Sequence, residues 1–360
     1  YQKSFLFIAF PEDSQVKYIG SFEGCTGIEF VDNIPKTVET IGDYAFYGCT
    51  RLSDVTLNEG LQYIGISCFE GCTSLTSIKL PSTLKVLREN AFRVCTALET
   101  VEFDDGIDFY DNFSYGFYNN VFDGCENLHT VKLPYNPDTT FVIPMATFSW
   151  CGNLKSIEFP ANTRRIEQMA FYRTGIENLD FTTITSDVFV EGYYTFSACN
   201  NLQSVKANGN FKFGSTSLYT FQDCKALKTV TINGSGDDYI KITPDAFRFC
   251  DNLESVEVYR LKGSGEPNEM DSVFVGCKKL QRVISTCPPE LNKFGYCCFD
   301  GCESLKEVPI PTQAFLINDK AFKGCAALES IDLANVTSIG DEAFTGCSAL
   351  ASINLKPLSN

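Results

Sequence analysis

Catalysis needs particular side chains at particular spacings, and this chain offers few. His129 is the single histidine in 360 residues. A Ser-His-Asp or Cys-His arrangement could be built only around it. It lies between Leu128 and Thr130, just ahead of a strand-like run, where a solvent-facing residue is expected. With one imidazole, a two-histidine metal site is impossible. Gly234, Ser235 and Gly236, like Gly263, Ser264 and Gly265, lack the lysine and the strand-to-helix context of a phosphate cradle. Carboxylate pairs could hydrolyse glycosides. With 45 Asp and Glu in the chain, however, pairs within reach arise from number alone. The expectation is a protein without catalytic residues, metal or cofactor.

Cysteine is the other residue type whose chemistry needs an account. Seventeen cysteines are many and odd in number, which invites a disulfide reading. Their spacing argues for another role. Thirteen of them fall in one recurring slot, three residues after a phenylalanine, as in Phe46 and Cys49, Phe69 and Cys72, or Phe344 and Cys347. Thr174 takes that slot after Phe171. A position that accepts Cys or Thr wants a small, moderately polar group, and free Cys behaves as a small buried hydrophobe. Cys68 and Cys298 replace the alanine before Phe, another packing slot. Cys287 and Cys297 remain as the one pair to test for a disulfide. Zinc is not expected, because the paired C-x2-C sets it uses are absent.

The elements that carry these cysteines are repeats. Fourteen Phe anchors run from Phe22 to Phe344 at intervals of 22 to 30 residues. After each Cys comes Leu-x-x-Val/Ile-x-Leu, as in Leu75, Ile78 and Leu80. The terminal alternation reads as a short strand with one buried face. Pro81, Pro134 and Pro160 close strands, since proline lacks a ladder donor. Ahead of the anchor stands Ile-Gly-x-x-Ala-Phe in units such as Ile41 to Phe46 and Ile339 to Phe344, which suits a tight helical turn on the opposite wall. One unit cannot bury its own apolar edges, whereas stacked units bury them against each other. A period in the twenties is that of leucine-rich repeats.

These residues resemble a known family. The run from Glu342 to Leu355, with Ala343, Phe344, Gly346, Cys347, Leu350, Ile353 and Leu355 in place, is similar to the BspA-like leucine-rich repeats of bacterial surface proteins. The resemblance covers roughly residues 20–355. It implies an α/β solenoid, a right-handed superhelix of about 14 repeats with a parallel sheet on one face. It also implies a secreted or surface-anchored protein, extracellular or on the cell surface, with proposed roles in adhesion to host proteins or other cells. It implies no catalytic residues. Residues 1–20 lack the repeat and are expected to cap the solenoid, which spans 21–355, with a tail at 356–360.

Charge limits the partners. The formal net charge is −16, which disfavours nucleic acid and anionic membranes, since both reward Lys and Arg clusters. No stretch approaches the ~20 apolar residues of a membrane helix. A lipid anchor upstream of Tyr1 is compatible with the surface reading. The expected partner is a protein or a glycan. A structural spacer of the cell envelope and, more remotely, a carbohydrate-active enzyme are the alternatives.

Two regions are candidate contact sites. The outward strand position runs through Lys79, Glu102, Lys132, Glu158, Asp180 and Lys206, with largely alternating sign. Such a column either pairs internally along the ladder or offers a polar strip to a ligand. The longest unit carries Tyr110, Phe113, Tyr115, Phe117 and Tyr118 among Asn, Ser and Gly. That composition suits a contact loop, because Tyr gives large contact area at low entropic cost. The alternative is that these aromatics pack on the solenoid wall.

Overall fold

The computed structural model describes residues 6–11, 13–105, 107, 120–138, 140–262, 270–286, 288–313 and 315–354. The aromatic run 109–118, Cys287 and the tail 356–360 lie outside the described residues. The chain divides into two compact units. The first holds Tyr1–Ile176 with Thr183–Ser186, the second Glu177–Thr182 with Asp187–Asn360.

Each unit is a parallel-strand β-solenoid, together about 14 turns. In the first, the strand after the Cys-x-x-Leu segment recurs as Ser77–Leu80, Thr100–Phe103 and Thr130–Lys132, paired in parallel. In the second, Asn178–Asp180, Ser204–Ala207, Thr229–Ile232, Ser255–Val258 and Arg282–Ser285 form one five-stranded ladder. The registers keep equivalent repeat positions side by side, for example Ile78 with Val101 and Val230 with Val256. The expected alternation holds: Ile78 and Leu80 are buried while Ser77 and Lys79 are exposed.

A second ladder runs along another wall. In the first unit it comprises Tyr18–Ile19, Thr40–Ile41, Tyr63–Ile64 and Val86–Leu87. In the second unit it includes Val188–Val190 with Phe211–Phe213, and Lys293–Phe294, Phe315–Ile317 and Val336–Ile339. The expectation of a sheet on one face alone is therefore incomplete.

The expected helical turn is absent, which removes the α part of the α/β expectation: among the described residues there is no helix. The backbone around each Phe anchor explains why. Tyr44 and Gly48, two residues before and after Phe46, have φ of 56° and 67°. Left-handed residues on both sides of the anchor interrupt any right-handed helix. The amides that a helix would turn back four residues instead point along the stack. Tyr44, Phe46 and Gly48 N–H donate to the carbonyls of Ile66, Cys68 and Glu70 in the next coil, each at 2.8 Å. The same three bonds recur from Ser272, Phe274 and Gly276 to Tyr296, Cys298 and Asp300 at 2.8, 2.9 and 2.8 Å. Intervening amides close tight turns, as Cys49 N–H does on Phe46 O at 3.1 Å.

The core is a column of stacked phenylalanines. From Phe22 through Phe46, Phe69, Phe92, Phe122 and Phe148 to Phe171, ring centroids are 5.1–5.7 Å apart. From Phe196 through Phe221, Phe247, Phe274, Phe299 and Phe322 to Phe344 they are 5.2–5.6 Å apart. Spacing set by the hydrogen-bonded ladders holds the rings within aromatic contact range.

Candidate functional site

The cysteine slot is buried and has a partner that the spacing did not disclose. Eleven of the slot thiols reach the Phe carbonyl of the preceding coil, among them Cys72 Sγ to Phe46 O at 3.3 Å, Cys95 to Phe69 at 3.2 Å, Cys250 to Phe221 at 3.1 Å and Cys277 to Phe247 at 3.0 Å. Thr174 Oγ1 donates to Phe171 O, in its own coil, at 3.1 Å. Burial raises the pKa of the enclosed thiols. Cys49 is pushed up to about 11, and Cys95, Cys125 and Cys277 stand well above the ordinary range. These thiols are packing and hydrogen-bonding groups, held in the unreactive protonated form. Cys297 is a free, partly exposed thiol, while Cys287 lies outside the described residues.

His129 is a surface residue. Its Nδ1 lies 3.0 Å from Thr130 Oγ1 and its Nε2 3.8 Å from Glu99, with the side chain half exposed. Among the described residues, no group of three His, Cys, Asp or Glu side chains is gathered as a metal site would require.

The outward charges behave as follows. Lys79 and Glu102 are register partners on adjacent strands, as are Glu102 and Lys132. Strand alternation turns all three to solvent. Lys132 Nζ is 3.8 Å from Glu102, and Lys79 Nζ pairs with Asp104 at 3.1 Å rather than with Glu102. The Asp104 carboxylate holds the Lys79 ammonium above its usual range. Glu158 is exposed, on a segment with no ladder pairing assigned. In the second unit, Lys206 stands between Asp180 and Thr231 in register, followed by Glu257. Hydrogen bonds from Thr182, with a smaller contribution from Lys206, lower the Asp180 pKa. The structure thus brings Lys79, Glu102 and Lys132 together as one strip. Tyr110, Phe113, Tyr115, Phe117 and Tyr118 lie outside the described residues.

Two cation–aromatic clusters lie off this strip, and the sequence reading did not find them. In the first unit, Arg173 stacks over Trp150, 4.3 Å from the ring centroid, and its Nε donates to Tyr172 Oη at 3.0 Å. In the second unit, the ammonium groups of Lys212, Lys241 and Lys262 lie 5.4, 5.9 and 4.9 Å from the ring centroid of Tyr239. The residues of each cluster come from different coils, so no contiguous motif announces either one.

Two parallel ladders, a wall of left-handed turns and a stacked aromatic core define a repeat protein of the β-solenoid type. Six copies of the BspA type leucine-rich repeat region match residues 17–136, 116–254 and 270–359. The chain belongs to that family. A leucine-rich repeat protein from Bacteroides ovatus superposes with a TM-score of 0.67 at 25% identity, over 96% of this chain and 78% of that one. A leucine-rich cell surface protein from Faecalibacterium prausnitzii has a TM-score of 0.42 at 23% identity, over 98% of this chain and 88% of that one. A leucine-rich repeat protein from Eubacterium ventriosum has a TM-score of 0.39 at 19% identity, over 94% of this chain and 82% of that one. No curated protein matches the sequence. No helix among the described residues is long and apolar enough to cross a membrane.

Proposed function

We propose that this chain is a non-catalytic binding protein of the bacterial surface or its surroundings, engaged in adhesion to host proteins, glycans or other cells. The observation that carries the reading is the strip Lys79, Glu102 and Lys132. It presents alternating charge on three neighbouring strands. Interstrand hydrogen bonds fix the backbone beneath, so a ligand covering the strip orders little beyond the side chains themselves. Membership of the BspA-type family supports the surface assignment. Glu158, Lys206 and the aromatic run from Tyr110 to Tyr118 are proposed as further contact positions on the strength of their composition and repeat position.

A spacer of the cell envelope without a ligand is the second reading. The internal pairing of the same charges, Lys132 with Glu102 and Lys79 with Asp104, favours it. Binding screens over immobilised matrix proteins, a glycan array and whole bacterial cells separate the two. Saturable binding that survives both dithiothreitol and EDTA supports a ligand-binding surface. Silence across the panel supports the spacer, and turnover of a polysaccharide contradicts both.

A further inference from the structure

In a chain of net charge −16, cations gather around one exposed tyrosine. Tyr239 is 38% exposed, and three ammonium groups lie within 6 Å of its ring centroid: Lys212 at 5.4 Å, Lys241 at 5.9 Å and Lys262 at 4.9 Å. Lys212 belongs to the strand Phe211–Phe213 of the second ladder. Ile240 and Leu261 bridge in parallel, so Lys241 and Lys262 are lateral neighbours on adjacent coils. Arg260, the residue beside Leu261, adds a fourth cation, with its guanidinium over Tyr259 at 5.8 Å.

This arrangement opposes what folding alone favours. Like charges side by side on neighbouring strands destabilise a ladder, and the Lys79 strip of the first unit alternates its signs. Here the nearby compensation is partial. Glu290 on the following coil pairs with Lys262 at 3.3 Å and with Arg260 at 3.7 Å. Lys212 donates to the Gly209 carbonyl. Among the described residues, neither Lys212 nor Lys241 has a carboxylate within ion-pairing distance. The face of Tyr239 offsets part of the repulsion through its negative quadrupole. The lysines remain half-exposed at its rim.

We propose that Lys212, Tyr239, Lys241, Arg260 and Lys262 form a binding site for an acidic oligosaccharide segment, one bearing sulfate or carboxylate groups on successive sugars. A tyrosine face takes the C–H face of a pyranose. The coils that carry these lysines are stacked at an interstrand spacing of about 4.8 Å, close to the length of one sugar ring. The surrounding field repels long polyanions, so the site suits a short anionic segment and depends on salt. This site is independent of the Lys79 strip and stands if that strip binds nothing.

The test is titration of the full chain with a heparin-derived hexasaccharide at 50 mM and 200 mM salt. Chitohexaose serves as the neutral control, and a deoxythymidine oligomer of equal charge as the non-saccharide control. Binding of the hexasaccharide is expected to weaken with salt. It should fall at least tenfold in K212A/K241A/K262A and several-fold in Y239L. K85A/K228A, at exposed lysines outside both candidate sites, should leave it unchanged. The single exchange K241Q, at a half-exposed site, should lower affinity several-fold even if the triple variant unfolds. The proposal is overturned by absence of hexasaccharide binding at 50 mM salt, by full retention in K241Q and Y239L, or by equal affinity for the deoxythymidine oligomer. Because none of these residues lies on the Lys79 strip, failure here leaves the strip reading intact, and the reverse holds too.

Discussion

The thiol of Cys72 donates to the carbonyl of Phe46 in the preceding coil at 3.3 Å, and the same carbonyl accepts the amide of Cys49 at 3.1 Å. One oxygen therefore closes its own turn and ties the next coil to it. The repetition of this bond through both units gives the cysteine slot a purpose beyond filling volume.

Removing one such thiol should cost stability without changing the fold. C72A or C250A is expected to lower unfolding free energy by about 1–2 kcal/mol, from a lost hydrogen bond and a small void. Serine in the same place keeps a donor. Urea denaturation of the three forms measures the difference, with m-values unchanged.

Chemical labelling should sort the cysteines by burial. Burial raises the thiol pKa, so at pH 8.5, where an ordinary thiol is half ionised, the fully buried slot cysteines stay protonated and inert. Iodoacetamide on the native chain should modify the partly exposed Cys25, Cys297 and Cys347 before Cys72, Cys95, Cys125, Cys151 or Cys277. Peptide mass mapping reads the order. Labelling of the buried set at the same rate in native and denatured protein would contradict the packing described here.

The phenylalanine columns should carry much of the stability. Phe69 is fully buried between Phe46 and Phe92, at centroid distances of 5.2 and 5.1 Å. F69A is expected to cost about 3–5 kcal/mol. Because each coil contacts its neighbours, the loss should appear as local opening around the affected coils. Hydrogen exchange, followed coil by coil, would show it.

Two glycines make a matched pair. A Cβ added at Gly48 or at Gly152 meets nothing within 4 Å, but Gly48 has φ +67° and Gly152 lies outside the left-handed region. G48A should therefore cost about 1 kcal/mol through backbone strain alone, while G152A should be neutral within about 0.5 kcal/mol or slightly stabilising. Thermal melts of the two variants against the parent chain decide it.

Much of this architecture was legible in the sequence. The Phe and Cys slots, the strand at Ser77–Leu80 and the buried face of Ile78 and Leu80 follow from the repeat and its alternation. The turn wall did not. Alanine and phenylalanine ahead of Gly48 read as a helical turn because the competing bonds, from Phe46 N–H to Cys68 O and its equivalents, join residues more than 20 apart. From Phe46 on, the left-handed position two residues before the anchor carries types as different as Tyr44, Ser67, Asn90, Met169 and Lys320, with no shared residue type to mark it. The second ladder is only two residues long at Thr40–Ile41, too short to show alternation. The strip was legible because its members share a repeat position. The lysines around Tyr239 were not, because coil stacking brings together residues as far apart as Lys212 and Lys262.

The central claim, that the strand face binds a ligand, is tested most directly by reversing its charges. The measurement is the Kd of the K79E/E102K/D104K/K132E variant for a partner confirmed with the parent chain. With D104K included, the reversed strip keeps both of its ion pairs, residue 79 with residue 104 and residue 132 with residue 102, while inverting what a ligand meets. The account predicts at least a tenfold loss of affinity with unchanged thermal stability. Unchanged affinity would contradict it.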